Sequence, residues 1–146
     1  MKKIIAILCA IVIAAFVFPA TSRAQEAKPK RYENVEWKSI VYVEFVTGKR
    51  GRALEIIRDH FEKAAKTAGT SSPVRYEMRT GQWDLLIVWT MKEGIESMNW
   101  EVSADGIAWR KALNDQEGGA EKAKALLDEY NSLIANIHSE IAMMRK

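Results

Sequence analysis

The sequence predicts an α+β domain, and three observations carry that prediction. A run of β-branched and aromatic residues over 40–46 gives a strand, and apolar residues at helical spacing follow over 52–68. Two further strand-like runs, 74–80 and 83–90, then flank a glycine turn. Strand, helix, strand, strand makes part of a sheet with one helix laid across it.

In the first run, IVYVEFV, the only charge is Glu44, so both faces of the strand are expected to be covered. Its odd positions, Val41, Val43 and Phe45, are wholly apolar, whereas Ile40, Tyr42, Glu44 and Val46 are mixed. Gly48 and Gly51 break the strand. Leu54, Ile57, Phe61, Ala64, Ala65 and Ala68 then fall on one helical face, and Gly69 suits the residue just past the helix end. Over 74–80, Val74, Tyr76 and Met78 alternate with Arg75, Glu77 and Arg79, the period of a strand. Gly81-Gln82 fits a two-residue type II′ hairpin turn. That turn sets Arg79 opposite Asp84, Met78 opposite Leu85, Tyr76 opposite Ile87 and Val74 opposite Trp89, with apolar partners on one face and a cation facing an anion on the other.

This order is the front of a ferredoxin-like unit, in which the helix crosses one face of the sheet. The helix side is expected to hold Val41, Val43, Phe45, Val74, Tyr76, Met78, Trp83, Leu85, Ile87 and Trp89. The other side is expected to hold Ile40, Tyr42, Glu44, Val46, Arg75, Glu77, Arg79, Asp84, Leu86, Val88 and Thr90. Too many of these are apolar for a face left in water.

Beyond Met91 the pattern turns helical, first over 93–101 with Ile95, Met98 and Val102 on one face. Ser103 or Asp105 can cap a second piece carrying Ile107, Ala108, Trp109, Ala112 and Leu113. Gly118-Gly119 separates it from a longer helix with Ala123, Leu126, Leu127, Tyr130, Leu133 and Ile134. A closing strand over 136–144 is favoured, because a ferredoxin-like sheet needs a fourth strand. A helix running on to Met143 is the alternative, since Ile137 and Ile141 fit both periods.

At the N-terminus, Lys2 and Lys3, an apolar run over 4–18 and Ser22-Arg23-Ala24 follow the order of a secretory signal peptide. The run is shorter than the roughly 20 residues of a spanning helix, so removal after Ala24 is expected rather than a stable membrane span. The chain then divides into a signal over 1–24, a flexible polar lead-in over 25–36 and an α+β domain over 37–146. Cleavage takes Lys plus Arg from 22 to 19, equal to the 19 Asp plus Glu, and leaves 122 residues. The basic balance thus belongs to the signal, and a nucleic-acid partner is not expected. Cys9 lies inside the signal, too early for a lipid-attached cysteine, so the exported product rests on its core without disulfides. The expected location is periplasmic or extracellular.

Candidate chemistry centres on the charged sheet face. Arg75 and Arg79 suit two-pronged carboxylate binding, and Glu44 or Glu77 could serve as a base if desolvated. The structural alternative is that Arg79 pairs with Asp84, while Arg75 and Glu77 pair across a dimer. Of five tryptophans, Trp83 and Trp89 fall to the core by strand parity, while Trp100 and Trp109 are placed to line an opening. His60 flanks the apolar stripe of its helix and His138 lies near the end, with no pattern joining them. Serine nucleophile motifs, phosphate-cradling glycine loops and paired metal-ligand spacings are absent, so neither a metal nor another cofactor is expected.

The element order over 37–144, the stretch TGQWDLLIVWTM and the break at Gly118-Gly119 resemble the dimeric α+β barrel superfamily, which includes NIPSNAP-type domains, stress-responsive barrels and antibiotic-biosynthesis monooxygenases. The resemblance implies a βαββ(α)αβ unit whose open sheet face is covered by a second copy. That would explain Ile40, Tyr42, Val46, Leu86 and Val88 on a face without helices. Haem-degrading and quinone-forming members use an asparagine, a tryptophan and a histidine. The helical region after Met91 has Asn99, Trp100 and Trp109 but no histidine. The expected function is an exported homodimer that binds a small anionic or aromatic ligand or acts as an interaction module. Tyr42, Glu44, Arg75, Glu77, Arg79, Trp100 and Trp109 are its candidate contacts. A cofactor-independent monooxygenase acting on an aromatic substrate is the alternative.

Overall fold

A computed structural model describes residues 28–146, so the expected signal and the first part of the lead-in lie outside the described residues. The chain divides into two units, Met1–Arg31 and Tyr32–Lys146. The second holds every described strand and helix. Strand β1 (Val35–Phe45) is followed by a helix, α1, built from Arg50–Ile56, a π turn over Ile57–Phe61, and Glu62–Ala68. Strands β2 (Val74–Glu77) and β3 (Leu85–Thr90), a 3-10 turn (Gly94–Asn99), α2 (Ala104–Glu117), α3 (Ala120–Ser132) and β4 (Ile134–Arg145) complete the unit. β1 begins at Val35, inside the stretch expected as lead-in.

Among the described residues, the strands form one antiparallel sheet in the order β2-β3-β1-β4. This is the ferredoxin-like arrangement. The C-terminal segment is a strand, and its 11 Cα pairings with β1, from Val35–Arg145 to Phe45–Ile134, show why. The apolar residues of 134–145 have a central strand to pair with along their whole length, which an extended helix would forgo. The Lys146 N–H donates to Asn34 O at 2.9 Å and closes the same edge.

Local signals place the helix ends. Gly69 takes φ +64° after α1, the left-handed conformation that releases a side-chain-free residue from the helix. Ser103, rather than Asp105, caps α2, its Oγ accepting from the Gly106 N–H at 3.1 Å. The expected helix over 93–101 is instead a 3-10 turn without a buried residue, so nothing anchors a longer helix there.

The helices cover one sheet face. Val43, Phe45 and Leu85 from the strands pack with Ala53 and Ile56 of α1, Leu113 of α2 and Leu126 of α3. The small residues Ala53, Ala64 and Ala123, all fully buried, let the layers approach closely.

The hairpin differs from expectation by one residue of register. Val74 faces Val88, Arg75 faces Ile87, Tyr76 faces Leu86 and Glu77 faces Leu85. The Met78 N–H donates to Asp84 O at 2.9 Å, so five residues, 79–83, form the loop in place of two. Changing the loop from an even to an odd number of residues flips every β2 side chain to the other face. Two contacts hold the longer loop. The Asp84 carboxylate accepts from the Phe45 N–H at 2.8 Å, and Arg50 reaches both Glu77 (3.2 Å) and Asp84 (3.8 Å). Arg79, expected opposite Asp84, is exposed and lies 3.9 Å from Glu77.

In consequence Val74 and Tyr76 join Ile40, Tyr42, Leu86 and Val88 on the helix-free face, while Arg75 and Glu77 turn toward the helices. Trp83, expected in the core, also lies on the open side. Its ring stacks on His138, with centroids 6.3 Å apart, and sits 5.7 Å from Tyr42.

Candidate functional site

The π turn of α1 lies over an opening on the helix side of the sheet. There the Glu62 N–H reaches Ile57 O, five residues back, which widens the helix. Neighbouring side chains from α2 satisfy the loosened carbonyls. Trp109 Nε1 donates to Phe61 O at 3.1 Å, and Gln116 Nε2 donates to His60 O at 3.3 Å. The His60 ring Nδ1 and Glu117 Oε1 lie 2.7 Å apart and tie the same turn to the end of α2. Burial alone would push the Glu117 carboxyl up, but hydrogen bonds from His60 and Gln116 outweigh it and hold the group below the ordinary carboxylate range.

Beneath this turn is a cavity of about 1280 Å³. Its walls come from Ile57 and Phe61 of the π turn, Arg75 of β2, Ile87 and Trp89 of β3, Trp100, the start of α2 through Trp109, and Tyr130 of α3. The loop 69–73 forms part of the rim. Phe61 organises the aromatic wall, edge-on to Trp109 at 5.5 Å and to Tyr130 at 5.0 Å. Burial pushes the Tyr130 hydroxyl up against a smaller opposing effect from Arg75, so it stays a neutral phenol at physiological pH. Such a surface binds by apolar area and ring contact, with few polar groups to fix orientation.

The rim carries Arg58, Lys63, Lys66, Arg75 and Lys92 against Glu62, Glu93 and Asp105. Each acid is already engaged. Glu62 pairs with Arg75, Asp105 with Lys92 at 2.6 Å, and Glu93 accepts from Trp100 Nε1 at 2.7 Å.

The residues expected to share a site divide between the two sides of the sheet. Tyr42 and Glu44 lie on the open face, where Glu44 accepts from Asn136 Nδ2 at 2.8 Å and from Gln82 Nε2 at 3.3 Å. Arg75, Trp100 and Trp109 meet at the cavity on the helix side. Glu77 is on that side but is taken up by Arg50, and Arg79 belongs to the hairpin loop. The charged patch expected on the open face is therefore absent, because the register places Arg75 against Glu62 of α1 and Glu77 against Arg50 within one chain. His138 is on the open face, 3.1 Å from Glu140. His60 does not line the cavity.

Sequence reasoning missed Phe61, Trp89 and Tyr130 as wall residues. Each falls on an apolar stripe and reads as core. The signal that could have separated them was the abundance of large rings on elements otherwise packed through alanine. Among the described residues no group of three or more His, Cys, Asp or Glu is placed to hold a metal ion, and no helix is long and apolar enough to cross a membrane.

The fold defines a class: a ferredoxin-like α+β protein, similar in fold to solved NIPSNAP family structures. One crystal structure of an Agrobacterium tumefaciens NIPSNAP family protein with unknown function matches at a TM-score of 0.54 and 13% identity, covering 81% of this chain and 96% of that one. A second crystal structure of the same Agrobacterium protein matches at a TM-score of 0.50 and 14% identity, over 73% of this chain and 90% of that one. At this identity the likeness is one of fold. No family model matches the sequence, and no curated protein does.

Proposed function

We propose that this chain is exported, loses residues 1–24, pairs with a second copy through its open sheet face and binds a small apolar ligand in the helix-side cavity. The observation that carries the binding reading is the cavity itself, walled by Phe61, Trp89, Trp100, Trp109 and Tyr130. Its volume is above the roughly 300–1,000 Å³ common for small-molecule sites, so a ligand of ordinary size fits with part of the space left open. The π turn supports the same reading, since such turns recur at functional sites and this one supplies Ile57, Arg58 and Phe61 to the wall.

The homodimer reading rests on the helix-free face. Val74 and Tyr76 are more than half exposed there, beside the half-buried Ile40, Tyr42, Leu86 and Val88. Covering a side chain of this size contributes about 1.5–3 kcal/mol when burial is complete. The charged groups on this face have partners within the chain: Lys38 pairs with Glu36, Glu140 lies 3.1 Å from His138, and Glu44 accepts from Asn136 and Gln82. Export rests on the charged, apolar and small-residue order of 1–24.

Native mass spectrometry of the protein recovered from the periplasm or medium of an expressing bacterium tests these readings together. The expected spectrum is a dimer whose chains begin at Gln25 and which retains a small molecule released on activation. A monomer at micromolar concentration removes the pairing, an intact N-terminus removes the cleavage, and a chain that neither retains nor takes up any apolar compound removes the binding role.

A further inference from the structure

The charge and shape of the cavity mouth narrow the class of ligand. We infer that the cavity takes a single long acyl chain ending in an anionic head group, with the tail against the ring-lined wall and the head beside Lys66. The inference rests on the binding role proposed above and adds the chemistry of the ligand.

Two observations carry it. The first is the charge left over at the rim. The carboxylates there are each held by a cation or an indole N–H, whereas Lys66, in the last turn of α1, makes no ion pair among the described residues. Lys63 reaches only Asp59, at 4.0 Å, and stays largely exposed. A cationic ligand would meet no free acid at the rim, while an anion meets unspent positive charge.

The second is the length of the apolar surface. It runs from the inner wall at Ile57 and Ile87, past Trp89, and out to Trp100, Val102 and Ile107, which are exposed by 59%, 59% and 62%. These outer side chains leave more than half of their surface in water, although they are large and apolar. A compact ring system would fill the inner wall and leave the outer three in water. A flexible chain covers both and removes the outer apolar surface from water. The acyl tail supplies apolar area, and the head group stays at the wet rim where its charge keeps most of its hydration.

The test uses the mature dimer and its own tryptophan fluorescence, with brominated oleate as quencher, compared with oleyl alcohol, lysophosphatidic acid and the neutral dye Nile red. Oleate and lysophosphatidic acid are expected to bind about tenfold more tightly than oleyl alcohol, a difference of about 1.4 kcal/mol. Binding of both anions supports the shared head-group charge, and binding of only one assigns the source as free fatty acid or phospholipid. Lys66→Glu is expected to weaken oleate by about fivefold and leave Nile red unchanged. Ile107→Asn, at an exposed position that folding does not use, should weaken oleate and Nile red alike. If Nile red binds and oleate does not, or if Lys66→Glu leaves oleate unaffected, the ligand class is wrong while the cavity remains a binding site. If nothing binds, both readings fail.

Discussion

Glu117 illustrates how one side chain joins two helices at the candidate site. Its carboxylate is mostly buried, 17% exposed, and bridges His60 of the π turn and the neighbouring Gln116. Because its folded pKa lies below the ordinary glutamate value of 4.5, it contributes stability that is fully present above that value and lost as pH falls through the depressed one. Glu117→Gln should therefore cost about 1 kcal/mol at neutral pH and nothing in acid below the folded value. Urea unfolding of both proteins across acid and neutral pH measures the difference, and a gap that stays constant with pH would dismiss the carboxylate as its source. The surface pairs need no such attention. Arg52 with Glu129 and Lys111 with Asp115 are exposed surface pairs, where solvent screens the gain.

At the scale of the element, the β2-β3 hairpin decides which chemistry faces which way. The chain after residue 24 contains no cysteine, so a disulfide can be introduced without competition. Val74→Cys with Val88→Cys places thiols directly opposite on one face and should oxidise readily. Val74→Cys with Trp89→Cys puts them on opposite faces and should not. Mass spectrometry under mild oxidation distinguishes the two, and the reverse outcome would restore the two-residue turn. The alternation of 74–80 was legible because a strand repeats every two residues. The loop length was not, because glycine after threonine suits short and long hairpins equally, and contacts from Phe45 and Arg50 chose between them. The strand over 134–145 was legible only through its need for a partner, since its apolar spacing fits both periods.

At the scale of the whole molecule, the register gives the open face a more apolar character than the sequence implied, by exchanging Arg75 and Glu77 for Val74 and Tyr76. Val74→Glu with Tyr76→Glu changes side chains that the single chain leaves in water, so the fold should persist by circular dichroism. Sedimentation should then report monomer in place of the proposed dimer. If the wild type and the double variant sediment alike as dimers, the pairing uses another surface. Two ion pairs per chain make this arrangement possible, because α1 presents Glu62 and Arg50 where β2 turns its charges inward.

The sequence by itself determined the α+β class, the order of β1, α1, β2 and β3, and the core stripes of β1, α1 and α3. These follow from local periodicity and from residues such as Gly69 and Ser103 whose chemistry acts within a few positions. Tertiary structure alone decided which way β2 faces, that Arg75 leaves Glu44 for the opposite side of the sheet, and that Phe61, Trp109 and Tyr130 enclose a space instead of filling it. Those outcomes depend on contacts between residues tens of positions apart, where the side-chain pattern is compatible with either answer and the better-satisfied set of partners prevails.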